Sequence, residues 1–162
     1  MLEFLKKSYD IGAPVSGKVL SLSEVPDDIF AQKIAGDGAA IEASSDVVVA
    51  PADGELTLVF KTHHAFALTL DNGIELLVHI GIDTVNLKGE GFELLANEGS
   101  RVKRGTPIVK LDREFIISKG YSLITVVLIT NSSMIDCIKY NAGQLVKAGE
   151  DNIYKYSLKV SK

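Results

Sequence analysis

The feature that most constrains the fold is a series of short apolar runs rich in β-branched residues and separated by turn residues. The runs are GKVLSL at 17–22, VVVA at 47–50, GELTLVF at 54–60, AFALTL at 65–70, IELLVHIGI at 74–82, PIVKL at 107–111, LITVVLIT at 123–130 and YKYSLKV at 154–160. Such runs, with Gly, Pro, Asn and Asp between them, are typical of sandwiches and barrels. We therefore predict an all-β fold, a compact antiparallel β-sandwich or barrel.

Two segments of the chain favour helix. They are VPDDIFAQKIAGDG at 25–38, where Phe30 and Ile34 lie four residues apart after an acidic start, and DREFIISKG at 112–120. Both segments are brief. We expect one or two short helices that cover the sheets and do not form a layer of their own.

Two motifs occur twice. APVSGKVL at 13–20 recurs as APADGELT at 50–57, and GSRVKRG at 99–105 recurs as GQLVKAG at 143–149. Chance likeness of glycine turns is the alternative, but two repeated pairs together favour duplicated hairpin motifs. No interior stretch has the composition of a linker. We predict a short flexible N-terminal lead, residues 1–10, and a single domain, residues 11–162.

Composition excludes several classes of function. The chain has a net charge of −4 and scattered basic residues, so no basic stripe exists to bind nucleic acid. The longest apolar run, LITVVLI at 123–129, is far shorter than the roughly 20 residues that span a bilayer. No signal-peptide pattern occurs, and we expect a cytoplasmic protein. MLEFLKK at 1–7 is interpreted as a frayed terminus, with contact to a membrane surface as the alternative.

Cysteine usage is minimal. Cys137 is the only cysteine, so neither an internal disulfide nor a thiolate metal site can form. Its neighbours Ile135 and Ile138 indicate an inert, packed thiol.

The three histidines fall in two adjacent strand-like runs. His63 and His64 precede AFALTL, and His79 lies in the next run, with the turn signal DNG at 71–73 between the runs. Asn and Gly tolerate the positive φ of hairpin turns, so the two runs should pair antiparallel, with His64 nearly opposite His79. Two adjacent imidazoles would repel each other if both were charged, which favours a neutral nucleophile or ligand beside a proton or charge partner.

Known catalytic motifs limit the chemistry. The chain has no His-x-His or His-Glu-x-x-His spacing for a zinc hydrolase, and only Asp83 or a glutamate could complete such a site. The chain also has no Gly-x-Ser-x-Gly elbow, P-loop or Gly-x-Gly-x-x-Gly fingerprint. Acyl transfer, nucleotide binding and dinucleotide chemistry therefore have no support.

LLVHIGIDTVNLKGEGF at 76–92 closely resembles the active-site signature of a known family. The family is the glucose-class IIA component of the bacterial phosphoenolpyruvate-dependent sugar phosphotransferase system. The likeness continues in APVSGKV, EVPDDIFAQKIAGDGAAI, VVAPADGEL, THHAF, EGSRVKRG and ITNSS, from about residue 12 to residue 160. The resemblance implies a β-sandwich with duplicated hairpins and a phosphoryl carrier that needs no cofactor.

The resemblance also implies residue roles. His79 becomes phosphorylated and His64 is the second active-site histidine. We hypothesise that neutral His79 attacks through Nε2 while the Gly81 carbonyl holds its Nδ1 proton, and that Thr62 orients His64, which donates a hydrogen bond to the phosphoryl oxygens. Asp83 is expected to fix the loop after His79 and to be a poor phosphate ligand.

The implied partners are the phosphorylated carrier HPr, which donates the phosphoryl group, and a cysteine on the IIB domain of a glucose-type sugar permease, which accepts it. Regulatory protein partners are a further possibility, the chain is expected to be a monomer, and the permease would bring it transiently to the inner face of the membrane. An apolar surround of the active site is expected to contact partners. Its predicted residues are Ile29, Phe30, Ile34, Ala35, Phe60, Leu77 and Val85.

Two other functions are alternatives to a phosphoryl carrier. A lipoyl or biotinyl carrier would need a modified lysine at a hairpin tip, and Lys88 is the only tempting one. A zinc-dependent peptidase lacks its ligands, although His64 and His79 could hold zinc if a partner donated a carboxylate.

Overall fold

The strands of this computed structural model, which describes residues 7–160, confirm the predicted fold class. In chain order they are β1 (Ser8–Gly12), β2 (Gly17–Ser21), β3 (Asp37–Ala43), β4 (Val47–Val49), β5 (Gly54–Val59), β6 (Ala65–Thr69), β7 (Glu75–Ile80), β8 (Phe92–Leu94), β9 (Arg101–Val102), β10 (Pro107–Leu111), β11 (Ile124–Ile129), β12 (Ile135–Tyr140), β13 (Leu145–Val146) and β14 (Asn152–Leu158). The helices are α1 (Asp28–Ala31) and α2 (Arg113–Ser118), with 3-10 helices at Leu22–Glu24, Thr84–Leu87 and Ser132–Met134.

Within residues 7–160 the strands form three antiparallel sheets. The eight-stranded sheet has the order β13-β2-β3-β11-β7-β6-β5-β9, and the two three-stranded sheets have the orders β1-β14-β12 and β4-β10-β8. The main core lies between the large sheet and the two small ones: Val78 and Val127 of the large sheet share it with Tyr154 of β14 and Ile108 of β10. The architecture is therefore a β-sandwich.

The outer face of the large sheet carries a second, smaller apolar cluster. Val127 of β11 joins the main core, whereas its neighbour Val126 and Ala40 of β3 join the outer cluster, since successive strand residues face opposite sides. Phe30 of α1 and Leu22 of the preceding 3-10 helix cover this outer cluster. This packing places α1 next to the outer face of the central strands.

The repeated motifs occupy equivalent positions. Gly17 of β2 lies opposite Val146 of β13, and Gly54 of β5 lies opposite Val102 of β9. In both cases the motif that starts with Ala-Pro leads into the longer strand of the pair, β2 or β5. The motif bounded by two glycines forms the two-residue strand, β13 or β9, that pairs with its start. The duplication predicted from the sequence is therefore present in the fold.

The predicted helix at 25–38 is much shorter in the structure. α1 has four residues, and Asp37 and Gly38 already belong to β3. A Cβ at Gly38 would lie 2.0 Å from the Val127 carbonyl oxygen, so this glycine permits close pairing with β11. Tertiary pairing outweighs the helical pattern at this end.

Two other expectations concern exposed parts of the chain. Cys137 is exposed on β12, so the prediction of a packed thiol is wrong. Among residues 7–160, β12 is an edge strand that pairs only with β14. β1 begins at Ser8, inside the predicted lead, while residues 1–6 of MLEFLKK lie outside the described residues. None of the helices between Lys7 and Val160 has the length and apolar character needed to cross a membrane.

Candidate active site

His79 lies on β7, a strand near the middle of the large sheet. β7 pairs with β6 on one side and with β11 on the other, which places His79 between Ala65 and Val126. Directly opposed residues of antiparallel strands share a face, so the imidazole projects from the outer face. Hydrogen bonding on both sides holds the backbone of β7, and the small side chain of Ala65 leaves room beside the ring.

His64 reaches His79 from the turn before β6. The prediction that His64 lies nearly opposite His79 is confirmed: Ala65 is the residue directly opposite, and His64 is its neighbour. Strand alternation alone would place His64 in the main core with Phe66. β6 begins only at Ala65, so His64 lies in the turn before it, next to His63 with its left-handed φ of 57°. The two imidazole centroids lie 5.0 Å apart at an angle of 84°.

Each imidazole has a hydrogen-bond partner at Nδ1. His79 Nδ1 lies 2.9 Å from the Gly81 carbonyl oxygen. A carbonyl oxygen only accepts, so Nδ1 is the protonated nitrogen and Nε2 of the neutral ring keeps its lone pair. His64 Nδ1 lies 2.6 Å from the Thr62 hydroxyl; donation by this hydroxyl leaves the His64 proton on Nε2. The predicted contacts of Gly81 and Thr62 are both present.

Gly81 is required by the sharp exit from β7. Its φ is 78°, and a Cβ there would lie 2.5 Å from Thr84 Cγ2 and 2.7 Å from the Ser122 carbonyl oxygen. The Thr84 hydroxyl donates to the Ile80 carbonyl, and the Ile82 amide donates to the Ser122 carbonyl. These contacts fix the Gly81 carbonyl, which accepts the hydrogen bond from His79 Nδ1.

Two carboxylates adjoin the histidine pair. Asp83 has a left-handed φ of 60° and its side chain makes no capping hydrogen bond to the following 3-10 helix, while its carbonyl accepts from the Asn86 amide at 3.1 Å. That Asp83 fixes the loop stays a prediction. Asp27 was missed by the sequence reasoning. It caps α1, since Oδ1 accepts from the Ile29 amide at 3.0 Å; an aspartate before a helical pattern is a signal that could have identified it as a cap.

Burial keeps the pair neutral. It lowers the pKa of His79, while the hydrogen bond to Gly81 and the charges of Asp27 and Asp83 oppose this lowering. His64 is 3% exposed. Burial and, to a smaller extent, the charge of His79 lower the pKa of His64 from 6.5 to about 4. Both histidines are therefore uncharged near pH 7.

Aromatic rings flank the histidines, and apolar residues surround them. The Phe30 ring lies 5.1 Å from the ring of His79, and the Phe60 ring lies 5.4 Å from that of His64, edge to face. Of the seven predicted partner residues, four are exposed and three belong to or pack on the outer cluster. The exposed ones are Ile34 at 68%, Ile29 at 54%, Val85 at 48% and Phe60 at 37%; the others are Phe30, Ala35 and Leu77.

Two rival sites can be compared with the structure. Lys88 ends a 3-10 helix with a left-handed φ of 55°, which is not the exposed hairpin tip that a lipoyl or biotinyl carrier requires. Across residues 7–160 no group of three or more His, Cys, Asp and Glu side chains is placed to hold a metal ion. His64 and His79 thus offer two nitrogen ligands at most, and zinc binding with a partner's carboxylate stays a prediction.

Known proteins resemble the chain closely. Residues 9–135 match the model of the family described as phosphoenolpyruvate-dependent sugar phosphotransferase system, EIIA 1. A "PTS system glucose-specific EIIA component" from Borreliella burgdorferi is 46% identical over 151 residues, covering 92% of this chain and 80% of that protein. The component of the same name from Haemophilus influenzae is 44% identical, with coverage of 87% and 84%. The solved structure of glucose permease IIA from Mycoplasma capricolum superposes with a TM-score of 0.87 at 33% identity and covers 94% of this chain and 97% of that one.

Proposed function

Because the chain belongs to the EIIA 1 family of the phosphoenolpyruvate-dependent sugar phosphotransferase system, we propose that it carries the phosphoryl group on Nε2 of His79. The observation that carries this proposal is the hydrogen bond from His79 Nδ1 to the Gly81 carbonyl. It orients the ring, fixes its tautomer and leaves the Nε2 lone pair available beside His64. Of the three histidines, His79 is the one mounted within a strand of the large sheet.

The reaction has two displacement steps at phosphorus. In the first, the Nε2 lone pair forms the bond to phosphorus while the bond to the donor, phosphorylated HPr, breaks and its electron pair stays on HPr. In the second, a cysteine sulfur of a IIB domain attacks phosphorus and the electron pair of the Nε2–P bond returns to Nε2. The proton stays on Nδ1, which donates its hydrogen bond to the Gly81 carbonyl throughout, and no cofactor enters either step.

His64 acts on the charge of the transferred group. A phosphohistidine carries close to two negative charges at neutral pH, and a half-buried site must supply donors for them. With Thr62 donating to Nδ1, His64 presents its Nε2 proton toward the neighbouring ring, where it donates to the phosphoryl oxygens. The low pKa of His64 means that this donor is neutral, so it need not lose a proton when the phosphoryl group leaves.

The surround of the site suits brief contact with several proteins. Ile29, Ile34, Phe60 and Val85 present apolar surface around the histidines, and Asp27 and Asp83 add negative charge close to His79. These carboxylates repel a phosphoryl group and attract basic residues of a partner. We assign this face to HPr and the IIB domain, with the cytoplasmic side of a glucose-type permease as the place of the second step.

Transfer of labelled phosphate tests the proposal. Label from phosphoenolpyruvate, passed through Enzyme I and HPr, should appear on the wild-type chain in acid-labile form and be absent from His79→Gln. His64→Gln should accept label and pass it to a IIB domain much more slowly. A wild-type chain that takes no label, or a His79→Gln chain labelled like wild type, would refute the assignment.

A further inference from the structure

The segment that carries Ile34 cannot hold its position by itself. It consists of α1 and the turn that follows, in which the Ile34 and Ala35 amides both donate to the Ile29 carbonyl. A helix of four residues is far below the length at which an isolated helix is stable. We call residues 28–36 the docking segment, because it holds Ile29 and Ile34 of the exposed surround and Phe30, which contacts His79. Its placement must come from contacts with the rest of the fold.

Beyond the burial of Phe30, a polar cluster fixes the far end of this segment. The Tyr140 hydroxyl donates to Asp37 Oδ1 at 2.6 Å, and Lys33 Nζ donates to the same hydroxyl at 3.3 Å. Lys33 Nζ also lies 3.4 Å from Asp37 Oδ1 and 5.4 Å from the centroid of the Tyr140 ring. Lys33 has a left-handed φ of 59°, which marks the turn that these contacts hold.

Tyr140 is itself anchored to the rigid part of the molecule. It lies opposite Tyr154 in the β12–β14 pair, with ring centroids 6.4 Å apart. The fully buried Tyr154 donates its hydroxyl hydrogen to the Val127 carbonyl of β11 at 3.1 Å. Since β11 pairs with β7, Tyr140 connects the docking segment to the sheet that carries His79.

We propose that Tyr140 is a positioning residue for partner recognition, which holds the docking segment at a fixed distance from His79 through Asp37 and Lys33. This inference rests on the proposed phosphoryl transfer. The cluster contacts neither imidazole, so it acts on the docking surface and not on the bond that forms at phosphorus. Removing the hydroxyl should therefore weaken the encounter with HPr and the IIB domain and leave transfer within the complex unchanged.

The protonation states of Lys33 and Tyr140 preserve the hydrogen bonds of this cluster near pH 7. The hydrogen bond to Tyr140, together with the charge of Asp37, raises the pKa of Lys33, and burial and the bond to Asp37 raise that of Tyr140. The ammonium and the phenol both keep their protons near pH 7. Hydrogen bonds to a charged acceptor are the stronger ones, although solvent screening reduces their strength in this partly exposed position.

The test is transfer of labelled phosphate from phospho-HPr to the full chain, measured at increasing HPr concentration, for wild type, Tyr140→Phe and Tyr9→Phe. Tyr9 is the matched control, because it lies in β1 at the opposite edge of the same sheet. Tyr140→Phe should raise the half-saturating concentration about threefold to tenfold, the range expected for one screened charge-assisted hydrogen bond, at an unchanged maximal rate. The Ile34 methyl resonance should shift in Tyr140→Phe and not in Tyr9→Phe.

The outcomes separate the two proposals. If wild type takes label and Tyr140→Phe has the wild-type half-saturating concentration, the positioning role is refuted and the phosphoryl carrier stands. A fall in maximal rate together with a lower melting temperature would also refute it, since that pattern indicates general damage to the fold. If wild type takes no label, both proposals fail.

Discussion

Acid should destabilise this protein through His64, and the structure gives the size of the effect. The perturbation is His64→Gln compared with wild type at a series of pH values. His64 has a pKa of about 4 in the folded chain and 6.5 in its ordinary state. At pH values between these two, His64 is protonated in the unfolded chain and neutral in the folded chain. The free energy of unfolding therefore falls as pH decreases.

The magnitude follows from the two pKa values. Protonation of His64 in the unfolded chain should lower the free energy of unfolding, relative to its value at pH 7.5, by about 2 kcal/mol at pH 5 and about 3 kcal/mol at pH 4. His64→Gln lacks this proton uptake, whereas His79 titrates in both proteins. The difference between the two curves therefore reports His64 together with its coupling to His79, and it should grow by about these amounts as pH is lowered, whatever the absolute stability of the variant at pH 7.5.

The assay is urea denaturation of both proteins between pH 7.5 and pH 4, with the free energy of unfolding taken from transitions of equal slope. Curves that stay parallel over this range would refute the claim that burial holds His64 neutral. A variant that loses stability faster than wild type on acidification would contradict the sign of the shift as well.

Two further predictions concern the loop and turn that orient the imidazoles. Gly81→Ala should lose about 2–4 kcal/mol of unfolding free energy, because its Cβ would meet Thr84 and the Ser122 carbonyl at a left-handed φ; a loss below about 1 kcal/mol in urea denaturation would contradict this. Thr62→Val removes the hydroxyl at His64 Nδ1 and should slow transfer to the IIB domain about tenfold. It should also alter the tautomer seen in ¹⁵N spectra of His64, and unchanged spectra would count against the orienting role.

Much of the fold could be predicted because each of the eight apolar runs coincides with all or most of a strand. The pattern failed for β3. Its sequence, DGAAIEA, consists mainly of small residues and resembles neither a typical strand nor a long helix. This segment is a strand because β2 and β11 pair with it on both sides. Such long-range pairing has no local signature. β9 and β13 have two residues each and were visible only as repeated glycine motifs.

The histidine pair could be predicted from the turn signal between its strands, but its geometry could not. Strand periodicity presumes an unbroken strand, but the chain turns at the left-handed His63 and β6 begins only at Ala65, after His64. Asp27 acts on His79, and Tyr140 donates a hydrogen bond to Asp37. Both interactions join segments that are far apart in sequence. Spacing within a motif carries no information about such contacts.

The position of β7 in the large sheet separates two tasks that many binding proteins combine. Its amides, bonded to strands on both sides, can exchange with solvent only when much of the sheet opens. The proposed phosphoryl acceptor is thus a fixed point, and the surface presented to partners depends on the short segment that side chains hold above it. Substitutions in that segment could therefore alter which proteins dock without moving the nitrogen proposed to carry the phosphoryl group.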